Sequence, residues 1–274
     1  MMIETIATVD SNRELAPGFR LLTIDLIEDV RVNPGQFAML KPRLFLEPLL
    51  RRAFAVYKVE GPRRFCFLYQ VMGRGTEALA QVRKGDEIDA LLPLGNRWEV
   101  DRPEDGCAIV VAGGVGSASV LMLCEELKHL KVPTHLFFGA ATERAAIGCG
   151  LEDFRALDLP LILTTVDGTL GERGFVTAPL ERELRAHQNK NRTIYTCGPW
   201  AMMKKVSELA AQHQTACVVS LEAPMGCGFG VCVGCVVAVN TDGPIGYGSY
   251  KRVCTDGSIF PAEQIRWEVN AMSH

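Results

Sequence analysis

Residues 107–124 read Cys-Ala-Ile-Val-Val-Ala-Gly-Gly-Val-Gly-Ser-Ala-Ser-Val-Leu-Met-Leu-Cys, eighteen positions without a charge. That length reaches the range in which a membrane-spanning helix has to be considered. The centre, Gly113-Gly114-Val115-Gly116-Ser117, argues for a different reading, because glycines weaken a helix interior and mark turns. The stretch therefore reads as a strand around Ile109-Val110-Val111, a glycine turn, and a helix over Val120–Leu130. Beyond it the rhythm recurs. Thr134–Phe138 is followed by a polar region, then come Leu161–Thr165 and Thr193–Cys197, the last followed by a helical run over Ala201–His213. Strands alternating with helices imply a parallel α/β sheet with helices on its faces.

Toward the N-terminus the pattern is different. From Ile3 to about Trp98 short β-like runs are punctuated by turn residues: Phe19–Ile24, Gly35–Leu40, Phe65–Val71. That spacing predicts a small antiparallel barrel, interrupted by a helix over Thr76–Val82 with Thr76 as its N-cap. The polar segment Asp101–Gly106 reads as a linker, and from Val218 onward a Cys- and Gly-rich segment replaces the regular pattern. The expected architecture is β-barrel plus α/β: an antiparallel barrel at 1–101, a parallel-sheet nucleotide-binding domain at 106–215, and a small module at 217–274. A chain of 274 residues has room for two cores and an appended unit.

Composition removes several function classes. With 48% hydrophobic and 22% charged residues and a net charge of -3, nothing electrostatic favours nucleic acid or an anionic membrane as partner. The start, MMIETIATVD, lacks the basic and apolar regions of a secretory signal, so a cytoplasmic protein is expected. Ten cysteines in a reducing compartment call for metal binding or burial rather than disulfides.

Four of them are crowded. Cys227, Cys232 and Cys235, with Cys254 further on, have the C-x4-C-x2-C…C spacing that suits a 2Fe-2S cluster, and Gly226, Gly228, Gly230 and Gly234 free the backbone to wrap a compact anionic group. A structural zinc site is the competing reading, although such sites usually show two short C-x2-C hairpins.

Two further signals are weaker. Arg52, in Arg51-Arg52-Ala53-Phe54-Ala55, offers a bidentate fork, and a helix opening at Gly75-Thr76 offers free N–H groups; together they could hold a flavin diphosphate, or be a turn and an ordinary cap. Gly113, Gly114 and Gly116 follow a strand and open a helix, the context a dinucleotide pyrophosphate needs, without completing G-x-G-x-x-G. No catalytic acid or base is expected: Asp86, Glu87 and Glu222 read as surface or loop-bracing carboxylates, and the five histidines show no metal-binding pattern.

The chain resembles, over nearly its whole length, the electron-transfer subunit of class B, NAD-dependent dihydroorotate dehydrogenases, within the ferredoxin-reductase superfamily. The segments that carry the resemblance are Arg52–Ala55, Gly73–Thr76, Pro93–Asn96, Gly113–Gly116, Asp167–Thr177, Tyr195–Pro199, the cysteine run and Tyr250–Cys254. The resemblance implies FAD in the barrel at Arg52, Ala53, Phe54, Ala55, Tyr69, Gln70, Val71, Gly75 and Thr76. It implies NAD(H) over the flavin, with the Cys197-Gly198-Pro199 turn near the nicotinamide. It also implies an FMN-containing catalytic partner subunit, two of each subunit, in pyrimidine (UMP) biosynthesis: electrons from dihydroorotate cross the cluster to FAD and leave as hydride to NAD⁺. Ala55 stands where the superfamily usually places Ser or Thr, and Ala112, Ala118 and Ser119 depart from its glycine loop. The rival readings are a reductase subunit of another redox complex, hydrogenase-associated or ferredoxin-NADP⁺ reductase-like, and a non-catalytic redox sensor. The choice of NAD over NADP stays open.

Overall fold

In the computed structural model residues 1–43, 45–100, 106–187, 191–241 and 246–269 are described. The N-terminal part comprises β1 (Ile3–Ala16), β2 (Phe19–Asp25), β3 (Phe37–Pro42), β4 (Arg52–Ala55), β5 (Lys58–Gly61), β6 (Arg64–Gln70), α1 (Arg74–Gln81) and β7 (Glu87–Leu94). These strands form one antiparallel sheet in the order β4-β3-β7-β1-β2-β6-β5. Alternation along each strand sorts side chains into two cores. Leu22, Ile24, Phe65, Phe67 and Tyr69 fill the barrel, while Phe19, Leu21, Cys66 and Leu68 face outward into a core shared with the second sheet. Phe54 of β4 meets Tyr69 of β6 edge-on at 5.7 Å between ring centroids, which draws the two ends of the sheet together.

The second part comprises β8 (Cys107–Gly113), α2 (Ser117–His129), β9 (Thr134–Ala140), α3 (Glu143–Gly148), α4 (Leu151–Ala156), β10 (Leu161–Thr165), β11 (Glu172–Arg173), α5 (Thr177–Ala186), β12 (Arg192–Cys197), α6 (Trp200–Gln212) and β13 (Ala216–Ser220). After these come β14 (Val236–Ala238), β15 (Tyr250–Arg252) and β16 (Ile259–Pro261). The second sheet runs β11-β10-β9-β8-β12-β13-β16, parallel throughout except where β16 lies antiparallel on β13.

The uncharged stretch at 107–124 is explained by its position. Every residue of β8 is buried, as befits a central parallel strand covered on both faces, and α2 is buried continuously from Ser117 to Cys124. Among the described residues no helix is long and apolar enough to cross a membrane.

Three details differ from expectation. The helix in the barrel starts earlier: Gly73 is the N-cap, and Thr76 sits in the first turn, where its hydroxyl accepts from Met72 N at 2.8 Å and Gly73 N at 3.1 Å. Thr76 thus closes the turn from inside it. The polar region after Phe138 holds α3 and α4, the first capped by Thr142 Oγ1, which accepts from Ala145 N at 3.1 Å. The helix α5 was not read from the sequence, because TAPLERELRA buries only Pro179, Leu180 and Leu184. Of the expected linker, residues 101–105 lie outside the described residues.

The C-terminal module is built onto the second sheet through β16 and onto the barrel through Asn96. The Asn96 side chain donates to Ile259 O at 2.8 Å and accepts from Ile259 N at 2.9 Å. Barrel and second domain are further joined at Asp153 of α4, which accepts from Tyr57 Oη at 2.6 Å and Lys58 Nζ at 2.9 Å.

Candidate functional site

A cleft of about 610 Å³ opens between the barrel and the carboxyl ends of the second sheet. Its barrel wall includes Phe37, Arg52–Ala55, Tyr69, Gln70 and Gly73–Thr76; the opposite wall includes Val115, Ala118, Ser119, Cys197 and Ser220. The residues Leu221–Met225 form a strap along its floor and run directly into Gly226 and Cys227.

The polar end of the cleft is made by Arg52 and the start of α1. Arg52 Nη1 donates to Leu50 O at 2.8 Å, which fixes the guanidinium over the first helical turn. A β-carbon at position 75 would lie 2.7 Å from Arg52 Nε and 2.9 Å from its Cγ, so a glycine is needed for the arginine to lie this close to the helix. A fixed guanidinium beside free helical N–H groups is a seat for a diphosphate. Deeper in, Tyr69 is 2% exposed and donates to Asn12 Oδ1 at 3.1 Å; burial pushes its phenol up to about 12, so it stays protonated. Val71 stands apart from the cleft, packed against the barrel core.

On the far wall, Ser119 Oγ donates to Ser220 Oγ at 3.0 Å, both buried beside Cys197. Burial raises the Cys197 thiol, so it is a neutral, compact group. Gly113, Gly114, Gly116, Gly198 and Pro199 lie next to the cleft rather than in its wall. A β-carbon on Gly116 would come within 2.5 Å of Gly198 N, and one on Gly113 within 2.9 Å of Pro199 Cδ. The glycines thus let the turns after β8 and β12 abut at the carboxyl end of neighbouring parallel strands, where α/β sheets bind ligands.

The four clustered cysteines fall into two pairs. Cys232 N points at Cys227 Sγ at 3.5 Å, on the more exposed side, whereas Cys235 and Cys254 are buried and interact with each other. Burial opposes ionisation of Cys227, but the N–H groups of Cys232, Phe229 and Val231 outweigh it and bring the thiol down to about 6. Among the described residues no three His, Cys, Asp or Glu side chains converge on a single metal-ion position. Two pairs of thiolates are what a two-iron cluster requires, each iron taking two protein ligands. The donor set therefore fits a 2Fe-2S cluster.

Residues 222–266, which span all four cysteines, match the family described as the iron-sulfur cluster binding domain of dihydroorotate dehydrogenase B. The dihydroorotate dehydrogenase B (NAD⁺) electron transfer subunit of Desulforamulus reducens is 34% identical over 256 residues, covering 93% of this chain and 95% of that one. The chain belongs to the family of dihydroorotate dehydrogenase B electron transfer subunits. The homolog of that subunit in Aquifex aeolicus is 32% identical, covering 97% and 99% of the two chains. Among solved structures, the NADH-dependent reduced ferredoxin-NADP oxidoreductase superposes with a TM-score of 0.82 at 26% identity, covering 96% of this chain and 90% of that one. A ferredoxin NADP⁺ reductase from Neisseria gonorrhoeae, at 17% identity and a TM-score of 0.62, shares the fold.

For an electron transfer subunit the strap 221–225, Phe37, Ser119, Ser220 and Ser258 are among the parts of the site that sequence reasoning missed. Glu222 belongs to that strap and lines the cleft, whereas Asp86 and Glu87 are away from it: Asp86 accepts from Arg83 N at 2.8 Å, bracing a turn, and Glu87 pairs with Arg43. The one available signal was position, since the strap directly precedes the cysteine run.

Proposed function

We propose that this chain carries electrons between an FMN-containing dihydroorotate dehydrogenase catalytic subunit and NAD, in pyrimidine biosynthesis, in an assembly with two of each subunit. Residues 1–101 seat FAD, residues 106–215 seat NAD(H), and residues 217–274 hold the 2Fe-2S cluster, sharing β13 with the second sheet. Arg52, Ala53, Phe54, Ala55, Tyr69, Gln70, Gly75 and Thr76 hold the flavin, with Val71 supporting from the barrel side. Gly113, Gly114, Gly116, Cys197, Gly198 and Pro199 shape the nicotinamide seat, and Cys227, Cys232, Cys235 and Cys254 bind the cluster. A bound flavin exchanges electrons singly or in pairs, the cluster only singly.

The observation that carries this reading is the strap Leu221–Met225, which lines the cleft and leads into Cys227, so the flavin seat and the cluster seat share a wall. The chain's own part is to orient and to exclude water. Arg52 and the α1 N-terminus anchor the charged end of the flavin, Phe37 and Ala53–Ala55 give its ring an apolar wall, and neutral Cys197 and Ser220 face it from the nicotinamide side. The six cysteines outside the cluster set are buried free thiols, which fits a cytoplasmic location.

An anaerobic NADH titration of the chain with its catalytic partner tests the reading, followed at the flavin bands and by EPR of the reduced cluster. Stoichiometric reduction of both centres is expected; reduction by dithionite but not by NADH removes the nicotinamide role. A second reading, a reductase subunit of another redox complex, is favoured by the likeness to the ferredoxin-NADP oxidoreductase. Reduction of the assembly by dihydroorotate separates the two.

A further inference from the structure

The loop that carries the first three cysteines is held against the barrel at Gly228, which adjoins Cys227 and is buried with φ +84°. A β-carbon there would lie 3.0 Å from Met39 Sδ and 3.2 Å from Leu94 Cδ1, and closer still to Met39 Cγ. Met39 is itself fully buried, so its side chain has no solvent to withdraw into. In register beside Met39 on β4 is Ala53, which lines the cleft, and Phe37, on the same face of β3 as Met39, lines it too. Met39, Leu94, Ala53, Cys235 and Cys254 belong to one continuous apolar core. The cysteine loop and the flavin seat therefore lie side by side on one face of the β3–β4 pair, joined by a closely packed apolar patch.

We infer that Gly228 and Met39 form the seat that sets the spacing between the cluster and the flavin cleft, which makes Gly228 a positioning residue for electron exchange between them. The inference rests on the cofactor assignment proposed above. Each crossing moves one electron, oxidising the donor by one and reducing the acceptor by one; no bond or proton changes in the seat, and one hydride equivalent takes two crossings. Exchange falls exponentially with separation, so the absence of a side chain at 228 keeps the centres close.

Non-bonded carbons settle at about 3.5–4.0 Å, so a β-carbon at 228 lifts the loop by roughly 1 Å. No bond has to be aligned, so only the added distance acts, and a several-fold fall is expected for a displacement of roughly 1 Å. Two variants approach the same contact from opposite sides. Gly228→Ala adds the β-carbon on the loop, at a left-handed backbone position that disfavours it. Met39→Phe fills the seat from the strand and leaves the loop's own sequence, every cysteine included, unchanged.

The test is anaerobic rapid mixing of the chain, purified with flavin and cluster bound, with NADH. Flavin reduction is read optically and cluster reduction by freeze-quench EPR, with iron content measured alongside. In both variants flavin reduction and iron content should match the unsubstituted chain while cluster reduction slows several-fold, and Met39→Ala added to Gly228→Ala should restore most of the rate. If Gly228→Ala does not retain iron, Met39→Phe decides. Unchanged cluster reduction in iron-loaded Met39→Phe overturns the inference, and so does a parallel slowing of flavin and cluster, which would signal a distorted barrel. Failure of NADH to reduce the flavin of the unsubstituted chain would instead remove the functional reading; the seat is then tested by the same comparison after photoreduction of the flavin.

Discussion

One carboxylate braces the junction between barrel and second domain, and removing a single hydroxyl tests it. Tyr57 is fully buried and donates to Asp153 Oδ2 at 2.6 Å, while Lys58 Nζ donates to Asp153 Oδ1 at 2.9 Å. Tyr57→Phe keeps the ring and its packing but deletes a hydrogen bond to a charged group, a loss of about 1.5–3 kcal/mol. Partial burial of Asp153 raises its carboxyl pKa, but the bonds from Tyr57 and Lys58 outweigh this and leave it below the ordinary value of 3.8. A carboxyl depressed in the folded state contributes stability above its unfolded value and loses it as pH falls through the folded one. The difference between Tyr57→Phe and the unsubstituted chain should therefore be full at neutral pH and shrink once the pH drops below 3.8. Urea unfolding at a series of pH values measures it, and a double-mutant cycle with Asp153→Asn should show coupling of about 0.5–3 kcal/mol. A difference below about 0.5 kcal/mol, the size of an ordinary surface substitution, would refute the reasoning. So would a difference that persists undiminished in acid.

Three further outcomes follow from the site. Arg52→Ala should weaken FAD retention by about tenfold or more, the value of a hydrogen bond to a charged group, as read by flavin fluorescence on dilution. Cys254→Ala should abolish the EPR signal of the reduced cluster, while Cys124→Ser, buried in the second domain and remote from the cysteine run, should keep it. Gly116→Ala places a β-carbon within 2.5 Å of Gly198 N, so it should raise the KM for NADH while flavin content and the cluster signal stay unchanged.

Much of the chain was legible because its signals are local. The alternation in Arg64–Gln70, the apolar strand and glycine turn at 107–117, and the spacing of Cys227, Cys232 and Cys235 each depend on neighbours in sequence. Elements whose patterning is faint were lost: α5 exposes most of its length, and α3 and α4 are six residues each, too short for a clear period. Thr76 was misplaced by three positions relative to its cap because a hydroxyl that closes a turn from inside resembles one that closes it from outside.

By itself the sequence determined the order of barrel, parallel sheet and cysteine module, the cysteine spacing that suits a two-iron cluster, and the arginine and glycine that meet at one end of the cleft. These follow from residue type and short spacing, which chemistry constrains directly. Only the tertiary structure decided that the strap 221–225 floors the cleft, that Cys227 pairs with Cys232 while Cys235 pairs with Cys254, and that Gly228 rests on Met39. Each is a contact between elements, and several are far apart in the chain, where packing of closely fitted side chains selects one arrangement from many that the local pattern permits.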